Sequence, residues 1–338
     1  MAIEFYDGYD HYSTSELSHR YNSILSSVIG AYGRYSTNGL RLGGAAGASG
    51  NVRRVVSNTA TKVLGFAVYL NGPLNVPQSV FYIQFDYTGT GRGGLMMNSD
   101  GTFTYYRSIN ESGQAVLGTT SKGLLSGRWY FVQMKVLFSE TVGTVEVKIN
   151  GESVLNLTGV NTGAYTVNNI YLHTATTPGY SAKDPRIDDL YVDTADFRGD
   201  RRVELLMPTA NGYYEQWTPT GGTINFECVD DNPPNQDTDY NGATVLTYKD
   251  SFEFSDMETT AGAVPVVVVE CYARKDDAGE RYIRPFARIG TVDYNGGTMY
   301  LGDDYQFLFY FWEQNPATSA AWEISEVNST EFGYELIE

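Results

Sequence analysis

The carboxylates come first, because acid–base, glycosidic and metal chemistry all need them at set spacings. Asp230, Asp231, Asp237 and Asp239 fall in one loop with the amides of Asn232, Asn235 and Gln236. Oxygen donors at this density suit calcium, but the loop has neither the central glycine nor the terminal glutamate of an EF-hand. Its Pro233-Pro234 pair favours an ordered turn over a metal site. Asp7, Asp10, Asp188 and Asp189 form a second candidate cluster, provided the two ends of one domain meet. Glycoside hydrolysis needs two carboxylates roughly 5–10 Å apart across a cleft. Residues 145–149 offer Glu146 alone, with Lys148 on the same face, which reads as a cross-strand charge pair.

The three histidines, His11, His19 and His173, are far apart, and none stands at a His-x₃-His spacing. They read as partly exposed polar side chains, although His11 and His173 would meet if the first and a late strand were neighbours. Two cysteines, Cys228 and Cys271, leave a single disulfide open but cannot make a disulfide scaffold. Arg198-Gly199-Asp200 reads as a linker turn with both charges solvated, and the sequons at Asn110, Asn156 and Asn328 mean nothing without secretion. No catalytic, cofactor-binding or metal-ligating residue is assigned.

The elements that must position these residues are short strands. Residues 127–159 carry an aromatic opener and two alternating runs joined by Asn150-Gly151. Asn-Gly between such runs predicts a hairpin, because a type I′ turn needs φ > 0 at both central residues. Further strands are expected at 3–7, 39–42, 51–56, 62–70, 80–87, 93–98, 102–107, 170–173 and 186–192, the last closing beside the first. Ser13 and Glu16 match a capping box, with a turn or two of helix at 18–22. Beyond a polar hinge at 197–202, strands are expected at 203–207, 213–218, 224–229, 247–254, 264–274, 282–289, 297–301 and 305–311. A helix is expected at 325–332, capped by Ser325 and stopped by Gly333. Many short strands with almost no helical periodicity predict an all-β protein of two antiparallel β-sandwich domains, residues 1–196 and 197–338.

Composition agrees: of 338 residues, 14% are aromatic, 19% are charged and 36 are glycine. The net charge of −17 is confined to one part of the chain. Residues 1–199 hold 15 acidic and 15 basic side chains, whereas 200–338 hold 25 acidic and 8 basic. An acidic second domain lacks the basic footprint that nucleic acid demands. It suits solubility at high copy number or docking on a basic protein surface. No apolar run approaches a membrane span, and the acidic start MAIEFYDGYD lacks the basic region of a secretory signal. A soluble protein made in the cytoplasm is expected. The 27 tyrosines would serve a sugar-stacking surface, but cross-strand pairing explains them equally well and is favoured.

The run Gly127-Arg128-Trp129-Tyr130, the strand at 145–149, the Asn150-Gly151 turn and the closing Ile187-Asp188-Asp189-Leu190-Tyr191-Val192 resemble the concanavalin A-like (laminin-G-like) jelly-roll superfamily, over about residues 3–195. The resemblance implies that Trp129 packs under the sheet and that the Asn-Gly turn joins two central strands. Superfamily members that hydrolyse β-glucans carry a Glu-x-Asp-x-x-Glu strand, which this chain lacks. Residues 197–338 resemble a domain of tailed-bacteriophage structural proteins. That likeness rests on Phe197-Arg198-Gly199-Asp200-Arg201-Arg202-Val203-Glu204, Trp217-Thr218-Pro219-Thr220-Gly221-Gly222 and the Asp-Asn-Pro-Pro loop. It continues through Tyr272-Ala273-Arg274-Lys275-Asp276-Asp277-Ala278-Gly279 and Trp312-Glu313-Gln314-Asn315-Pro316-Ala317-Thr318.

Together these resemblances imply a non-enzymatic structural protein of a tailed-bacteriophage virion, assembled in the host cytoplasm. Its place would be the exterior tail (fibre, baseplate or tip), with a host-surface glycan, other virion proteins and further copies of itself as partners. Neither nucleic acid nor membrane is expected as a partner, and no cofactor. A capsid decoration or cementing protein and a glycan depolymerase are the alternatives.

Overall fold

The computed structural model describes residues 2–35, 37–43, 49–75, 79–109, 111–176 and 183–338. The expected Asn110 sequon lies outside the described residues. Contacts divide the chain into two units, Ala2–Val203 and Glu204–Glu338. The described residues are nearly all β.

The strands of the first unit are β1 (Ile3–Asp7), β2 (Ser23–Leu25), β3 (Val28–Gly30), β4 (Gly39–Arg41), β5 (Gly50–Thr59), β6 (Thr61–Leu70), β7 (Ser79–Tyr87) and β8 (Thr90–Met97). They continue with β9 (Phe103–Arg107), β10 (Ala115–Thr119), β11 (Trp129–Leu137), β12 (Gly143–Ile149), β13 (Glu152–Val160), β14 (Val167–Thr176) and β15 (Pro185–Asp193). One antiparallel sheet runs β13-β12-β11-β6-β15-β4-β3, with β1 paired to β15. The other runs β10-β9-β8-β7-β14-β5-β2. Alternation points Leu64, Phe66, Val68, Val132, Met134, Val136, Val145 and Val147 of the first sheet into the core. The second sheet contributes Phe81, Ile83, Phe85, Leu95, Phe103, Ile170 and Leu172. All of these side chains are buried, so the two sheets form a sandwich around one apolar layer.

The closing strand does pair with the opening one, Tyr6 opposite Tyr191. The Asn150-Gly151 turn forms, with φ of 50° and 81°. It joins β12 to the edge strand β13, so the expectation that it links central strands is corrected. Trp129 is half-buried against Tyr69, ring centroids 5.6 Å apart, rather than packed under the sheet. The capping box forms between Ser13 and Glu16, leading through a 3₁₀ turn into α1 (Leu17–Arg20), which stops at Tyr21, short of the expected end.

In the second unit the strands are β16 (Pro208–Glu215), β17 (Thr218–Thr220), β18 (Tyr240–Gly242), β19 (Lys249–Phe254), β20 (Val267–Ala273), β21 (Tyr282–Ile289), β22 (Val292–Asn295), β23 (Met299–Tyr300), β24 (Gln306–Trp312) and β25 (Glu331–Leu336). A six-stranded sheet runs β16-β19-β25-β21-β22, with β23 beside β21. The β20–β24 ribbon packs on it around Trp312, Trp322, Ala287 and Phe332. Residues 203–207 form no strand, and 224–229 hold a 3₁₀ turn at Phe226–Cys228. Asn225 pins that turn by donating to Asp250 Oδ2 (2.8 Å) and to the Trp217 carbonyl (2.9 Å). The C-terminal helix α2 is only Ile324–Asn328, capped by Glu323, and 331–336 are strand. Gly333 is no helix stop. A Cβ there would lie 2.0 Å from the Asp250 carbonyl, so glycine lets β25 approach β19.

Candidate functional site

Most acids of the two carboxylate clusters are held by hydrogen bonds within the protein, while Asp239 keeps a buried Oδ1 without a partner. Asp7 accepts from Arg20 Nε (3.0 Å), Tyr12 Oη (2.6 Å) and Tyr21 Oη (2.9 Å), all out of solvent. Asp10 accepts from the Asn38 amide at 2.8 Å. Asp188 accepts the amides of Arg34 (2.7 Å) and Asp189 (2.8 Å), and Asp189 that of Val203 (2.8 Å). Burial pushes both acids of this pair upward, and the charge of Asp189 adds to the push on Asp188. Among the described residues no group of three or more His, Cys, Asp or Glu side chains is arranged to hold a metal ion. In the 230–239 loop, Asp237 is held by Arg274 (3.0 Å) and Tyr305 (2.8 Å), and Asn235 donates to Asp231 at 2.6 Å. Cys228 and Cys271 are both free thiols.

Two charged motifs also differ from expectation. Arg198 is pinned to Asp193 at 2.7 Å and Asp200 to Arg34 at 2.6 and 2.8 Å, so the Arg-Gly-Asp turn is not freely solvated. Glu146 pairs with Lys148 at 3.4 Å along its own strand rather than across strands. His173 and His11 do not meet through the first strand. His11 meets Tyr12 edge to face, while His173 sits in the other sheet.

Among the described residues, His173 marks a place where polar and aromatic side chains gather on one sheet face. The core-facing side of the second sheet is apolar, and alternation turns a different set outward: Asn51 and Arg53 on β5, Tyr171 and His173 with Asn169 on β14, Tyr82, Gln84 and Asp86 on β7, Met96 on β8. Register aligns them in rows: Asn51, His173, Tyr82 and Met96 in one, Arg53, Tyr171 and Gln84 in the next, Asn169 and Asp86 beyond. His173 stacks on Tyr82 across the strands (5.2 Å, 27°) and on Tyr171 along its own strand (5.4 Å, 26°). The three rings make a continuous half-buried aromatic strip. Burial holds His173 below the ordinary imidazole range, so it is a neutral ring at pH 7. Burial also raises Tyr82 and Tyr171, so both phenols stay protonated.

Beside the strip lie polar atoms with nothing to bond. Asn51 Oδ1, Gln84 Oε1, Asp86 Oδ1, Arg53 Nε and Arg92 Nε are buried and have no hydrogen-bond partner in the protein. The residues Asn51, Gln84 and Asp86 are 7%, 6% and 2% exposed. Burial pushes the Asp86 carboxyl up to about 6, against the opposing pull of Arg53, a hydrogen bond with Asn169, and Arg92. A buried polar group without a partner costs about 1–3 kcal/mol, and native proteins keep few of them. Four of these atoms, on Asn51, Gln84, Asp86 and Arg53, belong to the outward rows of this sheet, whereas the Arg92 guanidinium lies over the rings of Tyr165 (4.6 Å) and Tyr87 (5.9 Å).

The class defined by this topology and face is an antiparallel two-sheet β-sandwich with an aromatic and polar outer sheet surface. No protein-family model matches the chain, and no curated protein does. Among solved structures, it is similar to an endo-β-1,4-glucuronan lyase from the fungus Trichoderma reesei at 13% identity and TM-score 0.42, covering 56% of this chain and 95% of that one. It is similar to a sialidase at 14% identity and TM-score 0.40, covering 57% of this chain and only 19% of the sialidase. It is also similar to the CBM2 module of the evolved Dit of Lactobacillus casei BL23 phage J-1, at 12% identity and TM-score 0.34, covering 44% and 71%. With every one of these scores below 0.5, the fold assignment rests on the sheet topology itself.

Proposed function

We propose that the protein is a non-catalytic structural component of a tailed-bacteriophage virion, on the tail exterior, and that the outer face of its seven-stranded sheet binds a host-surface glycan. The observation that carries the binding reading is the strip of Tyr82, His173 and Tyr171 bordered by the unpartnered buried polar atoms of Asn51, Arg53, Gln84 and Asp86. A pyranose has an apolar C–H face that fits an aromatic ring, and hydroxyls that both donate and accept. Such a ligand would stack on the three half-buried rings, and its hydroxyls would meet Asn51, Gln84 and Asp86 once these buried side chains turn toward it.

The virion reading is supported by the sequence resemblance of residues 197–338 and by the acidic charge confined to that part of the chain. The non-catalytic reading is supported by the strand positions of the face, which carry one carboxylate, Asp86, where glycosidic hydrolysis uses a facing pair. A glycan array probed with the full chain tests the binding reading, and binding to no glycan across broad panels would sink it. Release of reducing ends from a bound polysaccharide would overturn the non-catalytic reading. Hundreds of copies per virion would replace the tail with capsid decoration, whereas a small multiple of three or six supports the tail.

A further inference from the structure

At one end of the second unit, large apolar side chains stand in solvent on backbone that is held fast. The turn between β18 and β19 carries Val245 and Leu246, 46% and 49% exposed, followed by an exposed Tyr248. Between them Thr247 has φ of 69°, a left-handed conformation that a β-branched residue rarely adopts. Hydrogen bonds clamp it there. The Thr247 amide donates to the Leu336 carbonyl (2.7 Å), and the Tyr248 carbonyl accepts from the Leu336 amide (3.0 Å) and from Trp217 Nε1 (3.0 Å). A recess of about 300 Å³ opens beside the turn, with Thr218, Gly242, Val245 and Tyr248 on its wall. The exposed Tyr240 ring borders it, because a Cβ on Gly242 would stand 3.6 Å from that ring. Single exposed apolar side chains are ordinary surface, but several gathered around one recess mark a binding patch.

The surround of this patch is acidic. Residues 208–250 hold seven acids and one base. Glu215, next to the recess residue Gln216, is exposed. So are Glu227 and Asp230, in and just after the Phe226–Cys228 turn, where Cys228 Sγ meets the Thr220 carbonyl of β17 at 3.8 Å. The neighbouring bases are both paired: Lys249 with Asp293 (2.8 Å) and, two strands on, Arg284 with Glu335 (2.7 Å). Two copies of this face would set like charge against like charge, so a second copy of the chain does not fit it. An apolar centre inside an acidic rim fits a protein that presents a large apolar side chain flanked by lysine or arginine. We infer that this end of the second unit is a docking surface for such a basic protein segment. The partner's apolar side chain enters the recess beside Val245, Leu246, Tyr240 and Tyr248, and its cations meet Glu215, Glu227 and Asp230. The surface uses no residue of the glycan face, and neither reading needs the other.

Titration calorimetry of the full chain against a panel of capped pentapeptides tests this. Each peptide has Leu, Trp or Ala at its centre, with the four flanking positions all Lys, all Gln or all Glu. Lys-flanked Leu and Trp peptides should bind about tenfold or more tightly than the Ala-centred or Gln-flanked ones, and Glu-flanked peptides should not bind. Affinity should fall as salt rises from about 0.05 to about 0.5 M, because rim charges are screened. A Val245→Ser, Leu246→Ser double variant should lose about tenfold, with circular dichroism unchanged because both side chains stand in solvent. A Glu215→Gln, Glu227→Gln double variant should lower the preference for Lys over Gln flanks, and it serves if the serine variant does not fold. Equal binding of Lys-flanked Leu and Ala peptides would be diffuse attraction to an acidic protein and overturns the inference. Undiminished binding by the folded serine variant, or silence of every peptide, overturns it too. Self-association in sedimentation that the serine variant abolishes would make a second copy the occupant and overturn the basic partner.

Discussion

Replacing Gln84 with methionine should make the protein more stable and worse at binding. Gln84 is 6% exposed, and its Oε1 is buried without a donor. Methionine keeps nearly the same length and volume, so no cavity opens and no overpacking is forced. Relieving an unmet buried acceptor is worth about 1–3 kcal/mol. For a unit of this size, about 1 kcal/mol moves Tm by roughly 2–4 °C. The expected result for Gln84→Met is therefore a rise of at least about 2 °C by calorimetry, together with about tenfold weaker glycan binding from one lost hydrogen bond. The two changes run in opposite directions, which a purely structural side chain cannot produce. A drop in Tm of several degrees would refute the reasoning, because Gln84 would then be satisfied in the free protein, for example by an ordered water.

Other outcomes follow from the same geometry. Asp188 and Asp189 both have raised folded pKa values, so the native state holds their protons more tightly than the unfolded chain does. Their stabilising contribution is full below about pH 4 and fades as pH rises toward neutrality. Asp188→Asn should remove up to about 1.4 kcal/mol per pH unit of that slope in denaturation curves, and an unchanged slope would count against it. Gly151→Ala should destabilise the first unit by about 1 kcal/mol, because φ there is 81°; chemical denaturation reads the loss.

What could be read from the chain were features whose physics is local. The Asn150-Gly151 turn was legible because two adjacent residues meet the φ requirement by themselves. The Ser13–Glu16 capping box closes within one helical turn. Strand existence followed from alternation, as for residues 282–289, which the structure matches residue for residue. The glycan face was not legible, because its members come from β5, β7, β8 and β14, and adjacency of these strands is set by the whole sandwich. Alternation shows that Tyr82, Gln84 and Asp86 share one side of a strand but not that His173 and Tyr171 stand next to them. Polar residues at every second position of otherwise apolar strands were the available signal. Gly333 misled for the converse reason: its need is a close strand crossing in space, which looks like a helix stop in one dimension. Arg198-Gly199-Asp200 looked solvated because its partners Asp193 and Arg34 belong to the sheet and loop it folds back on.

The most direct test of the central claim is binding of the full chain to purified host-surface polysaccharide, compared with a Tyr82→Ala, Tyr171→Ala double variant. Both rings are half-buried on the outer face, so the variant should remain folded, with circular dichroism unchanged. Loss of both stacking platforms should weaken binding about 10–100-fold, at about 0.5–1.5 kcal/mol for each ring contact. Undiminished binding by the folded double variant would place the glycan elsewhere and contradict the account.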